Sequence, residues 1–152
     1  MNKKIIALII ILLSYGCSYE PMLSKKNYDF QFVKLTYEGE NDINEIIEAR
    51  LKVKSKGLKK YNIHFITEKE KEIVSSDSKG DASIFRIKIN VEYDVQYNDL
   101  NVLSNSFSKY ASYNNITDKF ELSKYEENII KSLSETISNE ILMSIISLNK
   151  WL

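Results

Sequence analysis

Few side chains in this sequence have the type or the spacing for covalent chemistry. There is one cysteine, Cys17, and one histidine, His64. A zinc set needs several His or Cys ligands at close spacing, and His64 has no second His and no nearby Cys to complete one. It shares parity with Asn62 and Ile66, opposite Ile63 and Phe65, which places it on the outer face of a strand. No serine lies in a nucleophile-elbow context and no glycine-rich phosphate loop occurs. Glu and Asp pairs fall only in charged runs of the kind that face solvent. The residues therefore point away from an enzyme, and no free cofactor is expected.

Cys17 is the exception, because of what precedes it. Lys3 and Lys4 form a positive start, Ile5 to Leu13 an apolar run, and the small residue Gly16 leads into the cysteine. This is the layout of a secretory signal. As a helix the apolar run spans about 14 Å, roughly half of a bilayer's hydrocarbon core, so it is too short to cross a membrane. The stretch Leu13-Ser14-Tyr15-Gly16-Cys17 resembles a lipobox, with Tyr15 bulkier than the usual residue there. In that motif the thiol takes a diacylglyceryl group, cleavage follows Gly16, and Cys17 becomes residue one with a further N-acyl chain. A lone cysteine in an exported chain has no partner for an internal disulfide, and lipid attachment accounts for it. The plainer alternative is an ordinary secretory signal followed by a chance free thiol.

The remaining chain is of a size for one domain with its own core. The full sequence has 21 basic and 21 acidic side chains; without the leader's Lys3 and Lys4 the remaining chain is still near neutral, which argues against nucleic acid as its main partner. Four glycines and one proline disfavour a loop-heavy chain. Residues 17–27, which include Pro21, read as a lipidated tether, and 28–149 as the folded domain.

Within that domain the patterns predict six elements. Tyr28–Tyr37 reads as a strand in which Tyr28, Phe30 and Phe32 share one parity and Val33, Leu35 and Tyr37 the other, so a β-bulge is expected near Phe32-Val33. A helix follows, with Asp42 as cap, Glu45 in a capping-box position, Gly57 as the stop, and Ile43, Ile46, Ile47 and Leu51 on one face. Tyr61–Thr67 is a second strand, and the charged stretch Glu68–Asp81 reads as a connection. Phe85 to Tyr97 is apolar at every odd position and polar between, the mark of a long strand in an antiparallel sheet buried on one face. Asn98–Asn101 turns the chain into a fourth strand, Leu103–Tyr113. The last element is a helix of about 40 Å over residues 122–148, with Ser123 and Glu126 as capping box. Its stripe is Leu122, Tyr125, Ile129, Leu133, Ile137, Ile141, Ile145 and Leu148. The expected fold is α+β, a two-layer α/β sandwich of order β-α-β-β-β-α. It has a four-stranded sheet with both helices on one face and a polar face left open.

One charge feature remains. Arg50, Lys52, Lys54, Lys56, Lys59 and Lys60 occur with no acid among them. A solvated helix C-terminus accounts for such a run; an anionic, lipid-phosphate-like surface would be its functional counterpart.

Cys17-Ser-Tyr-Glu-Pro-Met-Leu carries an aromatic-x-Pro motif after the cysteine. Tyr110-Ala-Ser-Tyr-Asn-Asn leads into Phe120-Glu-Leu-Ser-Lys-Tyr-Glu-Glu-Asn-Ile-Ile at a long C-terminal helix. With the element order, these resemble the lipopolysaccharide-assembly lipoproteins of the LptE (RlpB) family, short alphaproteobacterial-type members above all. Ser18 stands where members often have glycine, and its not being Asp is similar to lipoproteins sorted to the outer membrane. The resemblance implies a non-enzymatic outer-membrane lipoprotein on the periplasmic side. Its partners would be an LptD-type β-barrel, which it plugs, and lipopolysaccharide. Arg50, Lys52, Lys54, Lys56, Lys59, Lys60, Arg86 and Lys88 become candidate contacts for lipopolysaccharide or the barrel. A small envelope binding module, a ligand carrier or inhibitor, is the alternative, as is a purely structural anchored lipoprotein.

Overall fold

The computed structural model describes residues 29–52 and 57–149. The leader, Cys17, the tether, Lys54 and Lys56 lie outside the described residues. The order is β1 (Phe30–Gly39), α1 (Asn41–Leu51), β2 (Lys59–Ser76), β3 (Ala82–Tyr97), β4 (Leu100–Asn114) and α2 (Lys119–Asn149). The strands form one sheet in the order β1-β2-β3-β4. β1 runs parallel to β2, as the α1 crossover requires, and the other two pairings are antiparallel.

The parity switch in β1 is a bulge: the register with β2 shifts between Phe32 and Lys34. Val33 is thrown out to solvent, 63 % exposed, so that Phe30 before it and Leu35 after it both reach the core. Along β3 the odd residues Ile87, Ile89, Val91, Tyr93 and Val95 are all buried. Both helices cover that face. Ile43, Ile47 and Leu51 of α1 and Ile137, Ile141 and Ile145 of α2 are fully buried in the same cluster, each such side chain contributing about 1.5–3 kcal/mol. Tyr93 Oη and Ser144 Oγ, 2.6 Å apart, tie sheet to helix, and Arg50 meets Glu135 at 3.6 Å between the helices. Asn98 and Asp99 both have positive φ, 51° and 62°. They form the two-residue turn whose twist matches a hairpin.

Several local expectations are corrected. Glu68–Ser76 is not a connection but continues β2, paired with β3 out to Ser76 opposite Ala82. Its carboxylates find cross-strand cations, Glu70 with Lys88 and Glu72 with Arg86, and its cations find acids elsewhere, Lys69 with Glu40 and Asp42. Only Asp77–Asp81 turns, with Asp77 Oδ1 accepting from the Lys79 and Asp81 amides. Gly57 does not stop α1, which ends at Leu51. It is small because a Cβ there would lie 1.9 Å from the Phe30 amide nitrogen. Asp42 is inside α1 rather than its cap, since Glu40 holds that place with no side-chain bond.

The long helix is capped by Asp118, whose Oδ1 accepts from the Phe120 and Glu121 amides, not by a Ser123–Glu126 box. Glu126 is occupied instead by the Tyr113 hydroxyl, which donates to it at 2.7 Å, and by Lys71 at 2.6 Å. Tyr125 stands half out of the stripe, 48 % exposed, while Ser134 and Ser138 are buried, their hydroxyls bonded back to the Ile130 and Ser134 carbonyls.

Burial first, then the Glu126 hydrogen bond and charge, push the Tyr113 phenol well above its ordinary value of 10.0. The unfolded chain therefore loses this proton at lower pH than the folded one. The contribution to stability is complete below pH about 10 and declines as pH rises from there towards the folded value. Tyr113→Phe is expected to cost about 1 kcal/mol near neutrality and to flatten the alkaline loss of stability, read as urea midpoints on either side of pH about 10.

Candidate partner-facing sheet surface

The sheet face opposite the helices is built from the even-numbered residues of β2 and β3, because their odd neighbours are committed to the core. Thr36, His64, Asp94 and Ser104 are successive register partners, so one polar row crosses all four strands. Thr36 Oγ1 and His64 Nδ1 lie 3.0 Å apart, and Glu38 Oε1 is 3.9 Å from His64 Nε2. Asp94 Oδ1 accepts from the Ser104 hydroxyl and, at 3.2 Å, from Asn101 Nδ2. The serine hydroxyl is thus held by the carboxylate rather than by the imidazole, an arrangement different from the serine-to-imidazole contact of a Ser-His-Asp triad.

Two open hollows of about 340 and 420 Å³ meet at His64. They are lined by Asn62, Glu92, Asp94, Gln96, Ser104 and Ser106, with Ile66 and Ile63 as their apolar share. Sites that carry a small ligand are concave and mainly apolar; this surface is shallow and polar. Towards the β2–β3 turn the row gives way to paired charges. Arg86 bonds Glu72 at 2.9 Å and Ser112 at 3.3 Å and sits 4.9 Å from the Tyr110 ring centre. Lys88 meets Glu70 at 3.4 Å. Such a face keeps its hydrogen bonds beside water or polar protein, with Ile66 and Tyr110 as exposed apolar residues among the polar ones.

Among the described residues, the basic residues singled out in the sequence do not form one patch. Arg86 and Lys88 lie on the open face, each with an acid. Arg50 is on the helix layer with Glu135, and Lys52 is paired with Glu48 one turn back at 2.8 Å. Lys59 opens β2 beside Phe30, and Lys60 is exposed opposite Gln31. What sequence reasoning missed is the row itself. His64 was visible as an outward strand residue, but its partners Thr36, Asp94 and Ser104 come from three other strands.

No protein-family model and no curated protein matches the sequence. Solved structures do match the fold. Rare lipoprotein B from Shewanella oneidensis superposes with a TM-score of 0.59 at 15 % identity, over 76 % of this chain and 96 % of that one. The fold is that of rare lipoprotein B. A lipoprotein B from Nitrosomonas europaea gives 0.58 at 16 % identity over 83 % and 90 % of the two chains. A lipoprotein structure from Caulobacter crescentus gives 0.54 at 10 % over 79 % and 89 %. The RlpB/LptE-type architecture of four strands and two helices is therefore shared at identities too low for side-chain roles to transfer.

Proposed function

We propose that this chain is a lipoprotein held by acyl chains on Cys17 at the periplasmic side of the outer membrane. There its domain seats in an LptD-type β-barrel and supports the passage of lipopolysaccharide to the outer leaflet. The observation that carries the reading is the rare lipoprotein B fold on a chain whose leader ends Gly16-Cys17.

The open sheet face supports it physically. A barrel lumen is polar and water-lined, and a face of paired charges, hydroxyls and amides can enter it without burying unsatisfied groups. The barrel would supply the apolar exterior that this domain lacks, and the lipid would keep the domain at the barrel's periplasmic mouth. More than one acyl chain gives stable anchoring, at about 0.8 kcal/mol per buried CH₂. No reaction is assigned to the chain.

A photocrosslinking residue placed in turn at Lys88, Asn90 and Glu92 tests the contact. The expected outcome is capture of an outer-membrane barrel from the open-face positions, and no capture from Ile89, which is buried under the helices. Capture of no barrel from any open-face position, with the protein present in the membrane, would count against this face as the contact.

A further inference from the structure

The open face is electrically divided. Towards the β2–β3 turn its carboxylates are neutralised across the strands, Glu70 by Lys88 and Glu72 by Arg86. Around His64 they are not. Glu38, Glu68, Glu92 and Asp94 lie there, and among the described residues none of the four pairs with a lysine or arginine. Asp94 takes the neutral donors Ser104 and Asn101, and the Glu38 carboxylate faces the His64 ring at 3.9 Å. Lys34 stands two rows from Glu38 along β1. Cross-strand cations are what the other half uses, so the sheet itself does not require this half to keep its acids unpaired, and neighbouring like charges cost stability.

One row gives the band its shape. Glu38, Ile66, Glu92 and Ser106 are successive register partners. Ile66, 38 % exposed, therefore lies between two exposed carboxylates. It borders the hollow of about 340 Å³ lined by His64, Glu92, Asp94, Ser104 and Ser106. An apolar floor with carboxylates on both sides suits a long basic side chain, whose methylene stem packs on carbon while its charged head meets oxygen. An acidic surface would be repelled.

We infer that this half of the open face docks a lysine- or arginine-bearing surface of the barrel wall, with one basic side chain lying over Ile66 between Glu38 and Glu92. The inference rests on the barrel-seated reading and adds which part of the face carries the contact and the charge of what it meets. Complementary charge of this kind fixes register and orientation.

The test is the amount of barrel recovered with the tagged, lipidated full chain from membranes in mild detergent. Glu38→Lys with Glu92→Lys is expected to lower it about tenfold or more, and Glu38→Gln with Glu92→Gln to lower it less. Glu45→Lys with Glu127→Lys makes the same change of charge at exposed positions on the two helices and is expected to leave recovery unchanged. Circular dichroism checks that each variant is folded. Full recovery by the reversed pair, or by the neutral pair should the reversed one misfold, would overturn the inference and leave the seat standing. So would equal losses from the open-face and helix reversals. An unaltered chain that brings no barrel would overturn the seat itself, and the inference with it.

Discussion

Gly39→Ala is expected to destabilise the domain by about 3 kcal/mol or more, read as the shift in urea midpoint. Gly39 ends β1 at φ +97°, and a Cβ there would stand 1.9 Å from the carbonyl oxygen of Thr67. That oxygen belongs to the strand paired with Gly39, so no side-chain rotation relieves the clash. Moving the backbone would also break the knot that joins β1, α1 and β2. In it Thr67 Oγ1 donates to Asn44 Oδ1 at 2.8 Å and accepts from the Glu40 amide at 2.9 Å. Asn44 and Thr67 are both buried, and a buried polar group left unsatisfied costs about 1–3 kcal/mol. Gly80 provides the control: its φ is also positive, +89°, but a Cβ there meets open space. Gly80→Ala is expected to cost only the backbone strain, about 1 kcal/mol. Equal midpoints for the two variants would show that the approach to Thr67 is not what requires Gly39.

Cys17→Ala is expected to remove the lipid completely. On the proposed lipid attachment, labelled palmitate is expected to enter the unaltered chain and not the variant, and the variant is expected to leave the membrane fraction. Among the described residues no helix is long and apolar enough to span a membrane. A variant that still sediments with membranes while carrying no palmitate would point to an uncleaved leader or to a bound partner. Extraction with carbonate separates those two outcomes.

Much of the fold was legible because one element decides it. The odd residues of β3 fix a buried face along a whole strand, and both helices carry matching apolar stripes, so a single packing satisfies all three. The β1 bulge was legible for the same reason, since a change of parity has one cheap structural solution. What was illegible depends on residues distant in sequence. Glu68 to Glu72 has the composition of a solvated loop, and it becomes strand because its backbone pairs with β3 residue for residue, from Glu68 opposite Asn90 to Glu72 opposite Arg86. Gly57 has the local look of a helix stop, yet its smallness serves Phe30 on another element. Glu126 is well placed for a capping box until Tyr113 and Lys71 reach it.

The basic residues show the same limit from the functional side. Counted along the chain they form a run from Arg50 to Lys60. In space Arg50 and Lys52 belong to the helix layer, whereas Arg86 and Lys88 face the other way. Ion pairing with Glu135, Glu48, Glu72 and Glu70 offsets much of their charge, although exposed pairs of this kind contribute little to stability. The row through Thr36, His64, Asp94 and Ser104 is the more continuous feature, and it could be assembled only once the strand register was known.

The most direct test of a barrel-seated lipoprotein is recovery of the tagged full chain from membranes in mild detergent, followed by identification of what comes with it. The expected result is a salt-resistant complex containing an LptD-type outer-membrane barrel in near-equal amount. A tagged chain that emerges lipidated and folded but without a barrel would contradict the proposed seat.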